Sequence, residues 1–193
     1  MALTPGSDAA DLNFSWYSAG KGTPAVKVWK DGSKSSAKVV TGNAESISAE
    51  NWQGKSYSAA NKVNIADYFE ENTQYHYQYT DNYTGDDSVW SAEYDYTTKA
   101  TDKFSVILTG DPQVGASGSS SDKSANDASV ARDAYNWNKT MQQALKTCPD
   151  ASFLLSAGDQ INQSGAAKDD DKKTRESEYA GYLYPSVFLS LIH

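Results

Sequence analysis

Two stretches in the second half of the chain, FSVILTGD (residues 104–111) and SFLLSAGD (residues 152–159), decide the fold that the sequence predicts. Each is a short, nearly continuous apolar run, typical of a strand that is buried on both faces of a sheet. Between them, apolar residues recur at helical spacing over residues 128–145, with Asn126 or Asp127 as the N-cap. Strand, helix and strand in this order predict a parallel βαβ unit.

Both predicted strands end in Gly-Asp, which places Asp111 and Asp159 at equivalent positions. Because the strands of a βαβ unit run the same way, both carboxylates are expected at the carboxyl-end edge of one sheet, where open α/β sheets bind ligands. If the strands are neighbours, about 4.8 Å apart, the two carboxylates can share a cation. The alternative is that each aspartate only shapes a turn or caps the following helix.

The first hundred residues have a different pattern, with most of the 13 Tyr and short runs of alternating apolar and polar residues. Turns rich in Gly, Asn, Asp and Ser separate these runs. Such a succession predicts an antiparallel β-sandwich with Trp16 and alternate residues of 75–79 in its core. The predicted strands are residues 12–17, 25–29, 38–40, 63–65, 74–79 and 89–96.

Composition excludes several classes of protein. The 193 residues carry a net charge of −8, which opposes binding to a nucleic-acid backbone. No apolar run approaches the roughly 20 residues of a membrane span. The single cysteine, Cys148, excludes an internal disulfide and a Cys-rich zinc site.

The two Gly-Asp segments, GDPQ (residues 110–113) and AGDQ (residues 157–160), resemble the first two metal-binding blocks of the calcineurin-like metallophosphoesterases. The preceding region resembles the fibronectin type III-like N-terminal domain of purple acid phosphatases. The stretches that carry this second resemblance are LTPG (3–6), LNFSW (12–16), ENTQYHYQY (71–79), WS (90–91) and YTT (96–98). Together the two resemblances cover the whole chain in the order that the family shows.

The resemblance implies a mixed fold. Residues 1–100 would form a purple acid phosphatase-like N-terminal β-sandwich. Residues 101–193 would form the N-terminal part of a calcineurin-like metallophosphoesterase domain, an incomplete α/β layer. The implied activity is metal-dependent hydrolysis of a phosphoester substrate, phosphomonoesters first, at a site with two divalent metal ions (Mn, Fe or Zn). In the family, the residue equivalent to Asp111 holds one metal and the residue equivalent to Asp159 bridges both, and Gln113 is the third implied ligand.

The sequence departs from the family at several positions. Gln113 stands where many members have a metal-binding His, and Asn162 stands where purple enzymes have the tyrosine that gives their colour, so a purple Fe(III) centre is not expected. The family's third block, Gly-Asn-His-Asp/Glu, does not occur, and His76 and His193 are the only histidines. We therefore expect a chain that is cut within the catalytic domain and is not a competent phosphatase by itself. Self-association through its C-terminal half, which ends in the apolar residues 188–192, is also expected.

A rival hypothesis is a non-catalytic extracellular module for binding or adhesion, built on the aromatic-rich sandwich. Residues 1–6 lack the basic and apolar regions of a signal peptide, which fits a cytoplasmic protein or one whose export signal was replaced; we expect an extracellular or cell-surface location for the parent protein. A last helix is predicted from Arg175, with Glu178 as an exposed charge on its surface; the alternative is that Glu178 supports the edge that carries Asp111 and Asp159.

Overall fold

The structure is a computed structural model that describes residues 1–51, 53–117, 127–162 and 172–184. These residues divide into two compact units, residues 1–46 with 58–104, and residues 47–57 with 105–184. The strands are β1 (Ala2–Pro5), β2 (Leu12–Ser18), β3 (Ala25–Lys30), β4 (Lys38–Thr41), β5 (Asn43–Glu50), β6 (Ser56–Ile65), β7 (Gln74–Thr80), β8 (Tyr94–Thr97), β9 (Ser105–Thr109) and β10 (Ala151–Ser156). The helices are α1 (Asp127–Thr147) and α2 (Lys172–Tyr182).

The first eight strands form two four-stranded sheets, in the orders β1-β2-β6-β5 and β4-β3-β7-β8. Their inward side chains build one core, in which Phe14 of one sheet meets Tyr77 of the other edge to face, with ring centres 5.2 Å apart. Trp16, Tyr75 and Tyr77 are buried in this core, as the alternation predicts. The predicted antiparallel sandwich is therefore confirmed.

The structure differs from the predicted strands at four elements, one of which is β6, where only residues 63–65 of ten were predicted. Strands β1 and β5 are not evident in the sequence, and both are edge strands of the same sheet. An edge strand depends on backbone hydrogen bonds to one neighbour, and only one of the eight residues of β5 is buried, so β5 lacks an apolar pattern. The strand predicted over residues 89–96 begins only at Tyr94, and Val89 is 85% exposed.

In the second unit, β9 and β10 pair in parallel, with α1 between them in the chain. The predicted parallel pairing is confirmed. The helices α1 and α2 pack together, and Trp137 stacks on Tyr182 with ring centres 5.5 Å apart. Neither helix combines the length and hydropathy that crossing a membrane requires.

The prediction that both faces of β9 and β10 are buried is wrong. Ile107 is buried, but Leu108 and Leu155 are 68% and 53% exposed. Successive residues of a strand point to opposite faces, and Leu108 and Leu155 are direct partners in the register. In the described part of the unit, one face of this strand pair is therefore uncovered.

The prediction for Glu178 is overturned, and several other predictions fall outside the described residues. Glu178 is fully buried in α2, so its prediction as an exposed charge is wrong. Helical periodicity places Glu178 on a polar outer face of α2, but which residues of α2 are buried depends on how that helix packs on α1. The predicted apolar association surface at residues 188–192, the terminal His193 and the predicted N-cap Asn126 lie outside the described residues.

Candidate metal centre

Asp111 and Gln113 follow β9, and Asp159 follows β10, at the same end of the parallel pair. Backbone pairing continues beyond both strands through a series of hydrogen bonds. These run from Ala157 N to Thr109 O (2.7 Å), Asp111 N to Gly158 O (3.3 Å), Gln113 N to Asp159 O (2.9 Å), Val114 N to Gln160 O (3.2 Å) and Asn162 N to Val114 O (3.2 Å). The chain therefore brings the three implied ligands together at one edge, and we call Asp111, Gln113 and Asp159 the strand-end cluster.

Side chains of the cluster are exposed, and two of them are in contact. The Gln113 amide nitrogen Nε2 donates to Asp159 Oδ2 at 3.2 Å. Asp111 lies beside them through the bond from its backbone N–H to Gly158. Asp111 does not cap α1, because that helix begins at Asp127.

All three residues of the cluster have a positive φ, 50° at Asp111, 38° at Gln113 and 47° at Asp159. Of the described non-glycine residues, only Asp67 and Asn72 share this feature. A left-handed conformation costs an L-residue about 1–2 kcal/mol, less for Asp than for Gln. Strain of this kind persists where the surrounding structure enforces it, and it concentrates at functional sites. The backbone therefore marks the same three residues that the sequence singles out.

The donor set of the cluster fits a hard divalent cation. Two carboxylates and one amide carbonyl offer oxygen ligands, which suit Mg²⁺, Mn²⁺ or Ca²⁺, whereas imidazole and thiolate ligands suit Zn²⁺ and iron better. Because Gln113 Nε2 faces Asp159, its carbonyl Oε1 is left to bind a cation. Among the three metals that the resemblance implies, Mn²⁺ matches these donors best.

Histidine does not complete this site within the described residues. His76 lies on β7, where its ring nitrogens bond to Asp95 Oδ1 at 2.7 Å and to Asp31 Oδ1 at 3.0 Å. The described residues thus offer oxygen donors for one cation, and a cation held there would need further ligands such as water. A second metal would need further ligands.

A second acidic group lies in the sandwich unit, where carboxylate oxygens of Asp8, Asp11 and Asp67 are within 4.8 Å of one another. Asp11 accepts hydrogen bonds from the hydroxyl and backbone N–H of Ser7 and from the backbone N–H of Asp67. The bond from the Ser7 side chain is the main cause of the lowered pKa of Asp11. These hydrogen bonds give Asp11 a structural role in fixing a turn, so the acidic group is explained without a metal.

Among solved structures, the chain is similar to the purple acid phosphatase isolated from yellow lupin (Lupinus luteus) seeds, with a TM-score of 0.58 and 15% sequence identity. The likeness covers 99% of this chain and 34% of the lupin chain, so this chain spans about a third of that length. At such low identity the likeness shows a related fold, which agrees with the fold that the sequence resemblance implies. No protein-family model and no curated protein matches the sequence.

Proposed function

We propose that the protein is a metal-dependent phosphoester hydrolase whose metal centre includes the strand-end cluster. The observation that carries the proposal is the contact between Gln113 and Asp159, formed at the ends of two parallel strands by residues with positive φ. Such strand ends are where α/β sheets bind ligands. The related fold of a purple acid phosphatase supports the same function.

Each residue of the cluster has a distinct part in this proposal. The carboxylates of Asp111 and Asp159 neutralise the charge of the cation, and Gln113 adds a neutral oxygen donor. The Gln113 N–H group holds Asp159 Oδ2 and so orients that carboxylate. When bound, a divalent metal supplies an acidified water for attack on phosphorus and stabilises the developing negative charge.

The rest of the assignment follows the resemblance. We propose a phosphomonoester as the first substrate class, residues 1–100 as an accessory sandwich, and residues 101–193 as part of the catalytic domain. Two divalent metals belong to this proposal, although the described residues supply donors for only one. Because three oxygen donors are few for a catalytic metal, we expect the 193-residue chain to bind a metal weakly and to acidify its bound water little.

The proposal is tested by titrating the full chain with Mn²⁺, followed by electron paramagnetic resonance. We expect Asp111→Asn and Asp159→Asn each to lower the affinity for Mn²⁺ at least about ten-fold, because each removes a charged ligand. Asp150→Asn is the matched control, since this exposed aspartate lies just before β10 and not at its carboxyl end. Affinity that is equal in all four proteins would contradict the metal centre.

A second measurement uses p-nitrophenyl phosphate and added Mn²⁺. We expect the chain to hydrolyse this monoester no faster than the double variant Asp111→Asn/Asp159→Asn, because three oxygen donors are few for this chemistry. Turnover well above the double variant would contradict this expectation and support a complete site.

The rival function is a non-catalytic binding or adhesion module built on the sandwich. It becomes the better explanation if Mn²⁺ binding is insensitive to Asp111 and Asp159. An extracellular or cell-surface location is part of our proposal, and it is tested by fractionating the source cells. The net charge of −8 favours a phosphoester ligand held through a metal over a nucleic-acid partner.

A further inference from the structure

We infer that Asp133, on α1, is a positioning residue that holds Gln113 in the geometry of the metal centre, an inference that rests on the proposed function. The sequence does not single out Asp133, because it is one of several polar residues on an amphipathic helix. Its importance follows from the turn that it contacts.

One oxygen of Asp133 closes the turn that begins at Gln113. Asp133 Oδ2 accepts hydrogen bonds from the backbone N–H of Gly115 at 2.9 Å and from that of Ser117 at 3.1 Å. Within the same turn, the N–H of Ala116 donates to the carbonyl of Gln113 at 2.9 Å. The carboxylate therefore binds the N–H groups of Gly115 and Ser117, the two residues on either side of Ala116.

The preceding residue on α1 strengthens this contact. Arg132 Nε donates to Ser117 Oγ at 3.1 Å, and its guanidinium also donates to the Ser117 carbonyl. Asp133 and Arg132 thus bind the N–H, hydroxyl and carbonyl groups of one residue. Hydrogen bonds to charged groups are roughly twice as strong as those between neutral groups, so this end of the turn is held firmly.

The other end of the turn is fixed by packing. Val114 is buried and forms a parallel bridge with Ile161. Its side chain approaches α2 at Gly181, where an added Cβ would lie 2.9 Å from Val114 Cγ1. The residues that follow Gln113 are therefore fixed twice, Val114 by the core and residues 115–117 by Asp133.

This arrangement explains how Gln113 keeps its strained φ of 38°. A residue remains in a costly conformation only when its surroundings leave it no relaxed alternative. Without Asp133, we expect Gln113 to relax and its contact with Asp159 to loosen. In metal sites, loss of a residue that orients a ligand typically weakens metal binding by about 10–100-fold.

The first test needs no metal. Amide hydrogen exchange is measured by NMR in the full chain for Asp133→Leu, which removes the acceptor, and Asp133→Asn, whose amide oxygen can replace Oδ2. We expect the N–H groups of Gly115, Ser117 and Gln113 to exchange at least about ten-fold faster in the leucine variant, and within about three-fold of wild type in the asparagine variant. The N–H of Ala157, bonded to Thr109, should be unaffected in both. Gln142→Ala is the control, an exposed α1 position whose side chain contacts Asn138 of the same helix.

If the leucine variant does not fold, Asp133→Ser allows the same comparison, because serine is polar but too short to reach both N–H groups. The second test is Mn²⁺ affinity, which we expect to fall at least about ten-fold in the leucine or serine variant and to recover in Asp133→Asn.

The outcomes separate this inference from the proposed function. Unchanged exchange at Gln113 in the leucine or serine variant overturns the role of Asp133. Faster exchange with unchanged Mn²⁺ affinity shows that Asp133 holds the turn but does not position a metal ligand, which also overturns the inference. Faster exchange in a protein whose wild type binds no Mn²⁺ overturns the proposed function and leaves Asp133 as the anchor of the turn.

Discussion

The side chain of Gln113 donates to Asp159 Oδ2 at 3.2 Å, although 46 positions of sequence separate the two residues. Their backbones are also bonded, from Gln113 N to Asp159 O at 2.9 Å. Two hydrogen bonds thus join the segments that follow β9 and β10. The parallel pairing of these strands brings a carboxylate and an amide oxygen to one edge, which is the basis of the proposed metal centre.

The strained backbone at Gln113 predicts an unusual ranking of two variants. Glycine adopts a φ of 38° without a Cβ cost, so Gln113→Gly should be more stable than Gln113→Ala by about 1 kcal/mol in the free energy of unfolding. Both variants should bind Mn²⁺ more weakly than wild type, because both lose the amide. Urea denaturation, followed by circular dichroism, measures the difference.

A control for this ranking is Ala144, in the C-terminal part of α1. There Ala144→Gly should lower stability, since glycine is the poorer helix former by roughly 1 kcal/mol. Equal stabilities of the two Gln113 variants would show that the positive φ is not kept in solution.

His76 links three segments of the sandwich through charged groups. Besides its bonds to Asp31 and Asp95, its Nδ1 lies 3.4 Å from Glu93 Oε1, and Lys34 Nζ lies 2.7 Å from the other oxygen of Glu93. The side chain is only 14% exposed. This burial by itself lowers the pKa of His76, but the hydrogen bonds to Asp31 and Asp95 outweigh it, so the pKa stays above its ordinary value.

The raised pKa predicts that His76 stabilises the fold in a pH-dependent way. A folded state that binds the proton more tightly gains stability below the ordinary pKa of about 6.5 and loses it as the pH rises through the folded-state pKa. The free energy of unfolding should therefore differ more between wild type and His76→Gln at pH 5.5 than at pH 8.5. Urea denaturation at both pH values measures this.

The matched background for this experiment is Asp31→Asn/Asp95→Asn, which removes the two carboxylates that bond to the ring. In that background the greater effect of His76→Gln at low pH should disappear or reverse, because burial then lowers the pKa of the ring and only Glu93 opposes it. A difference that is the same at both pH values in the wild-type background would rule out the charged interaction.

The uncovered face at Leu108 and Leu155 predicts concentration-dependent association. The two side chains are direct neighbours in the register and both are more than half exposed. Leu108→Lys combined with Leu155→Glu should reduce association with little loss of stability, because the opposite charges face each other across the strands. Sedimentation velocity at several concentrations measures the shift.

Val89→Lys serves as the comparison, because Val89 is an exposed apolar residue of the sandwich unit. It should leave association unchanged. Association that persists in the Leu108/Leu155 variant would place the contact elsewhere on the chain.

Sequence patterns predicted β2, β3, β4 and β7 with nearly correct bounds, but missed β1, β5 and most of the central strand β6. β2 buries every second side chain, β3 buries four of its six residues, and β7 buries Tyr75 and Tyr77, so their composition reflects the core directly. β1 buries Ala2 and Leu3 but is only four residues long, and β5 buries only Ala49, so neither shows a clear alternation in the sequence. The strand over residues 89–96 was instead predicted too long, because Val89 and Ser91 belong to no strand and only residues from Tyr94 pair with β7.

By itself, the sequence determined that Asp111 and Asp159 follow two strands and that these strands run in parallel. Apolar runs mark the strands, and a connection long enough for a helix allows the chain to return in the same direction. Only the tertiary structure decided that Gln113 contacts Asp159, that Asp133 closes the turn beyond Gln113, and that Leu108 is exposed while Glu178 is buried. These relationships depend on how elements distant in sequence pack against one another, and local periodicity carries no information about the partner that each face will meet.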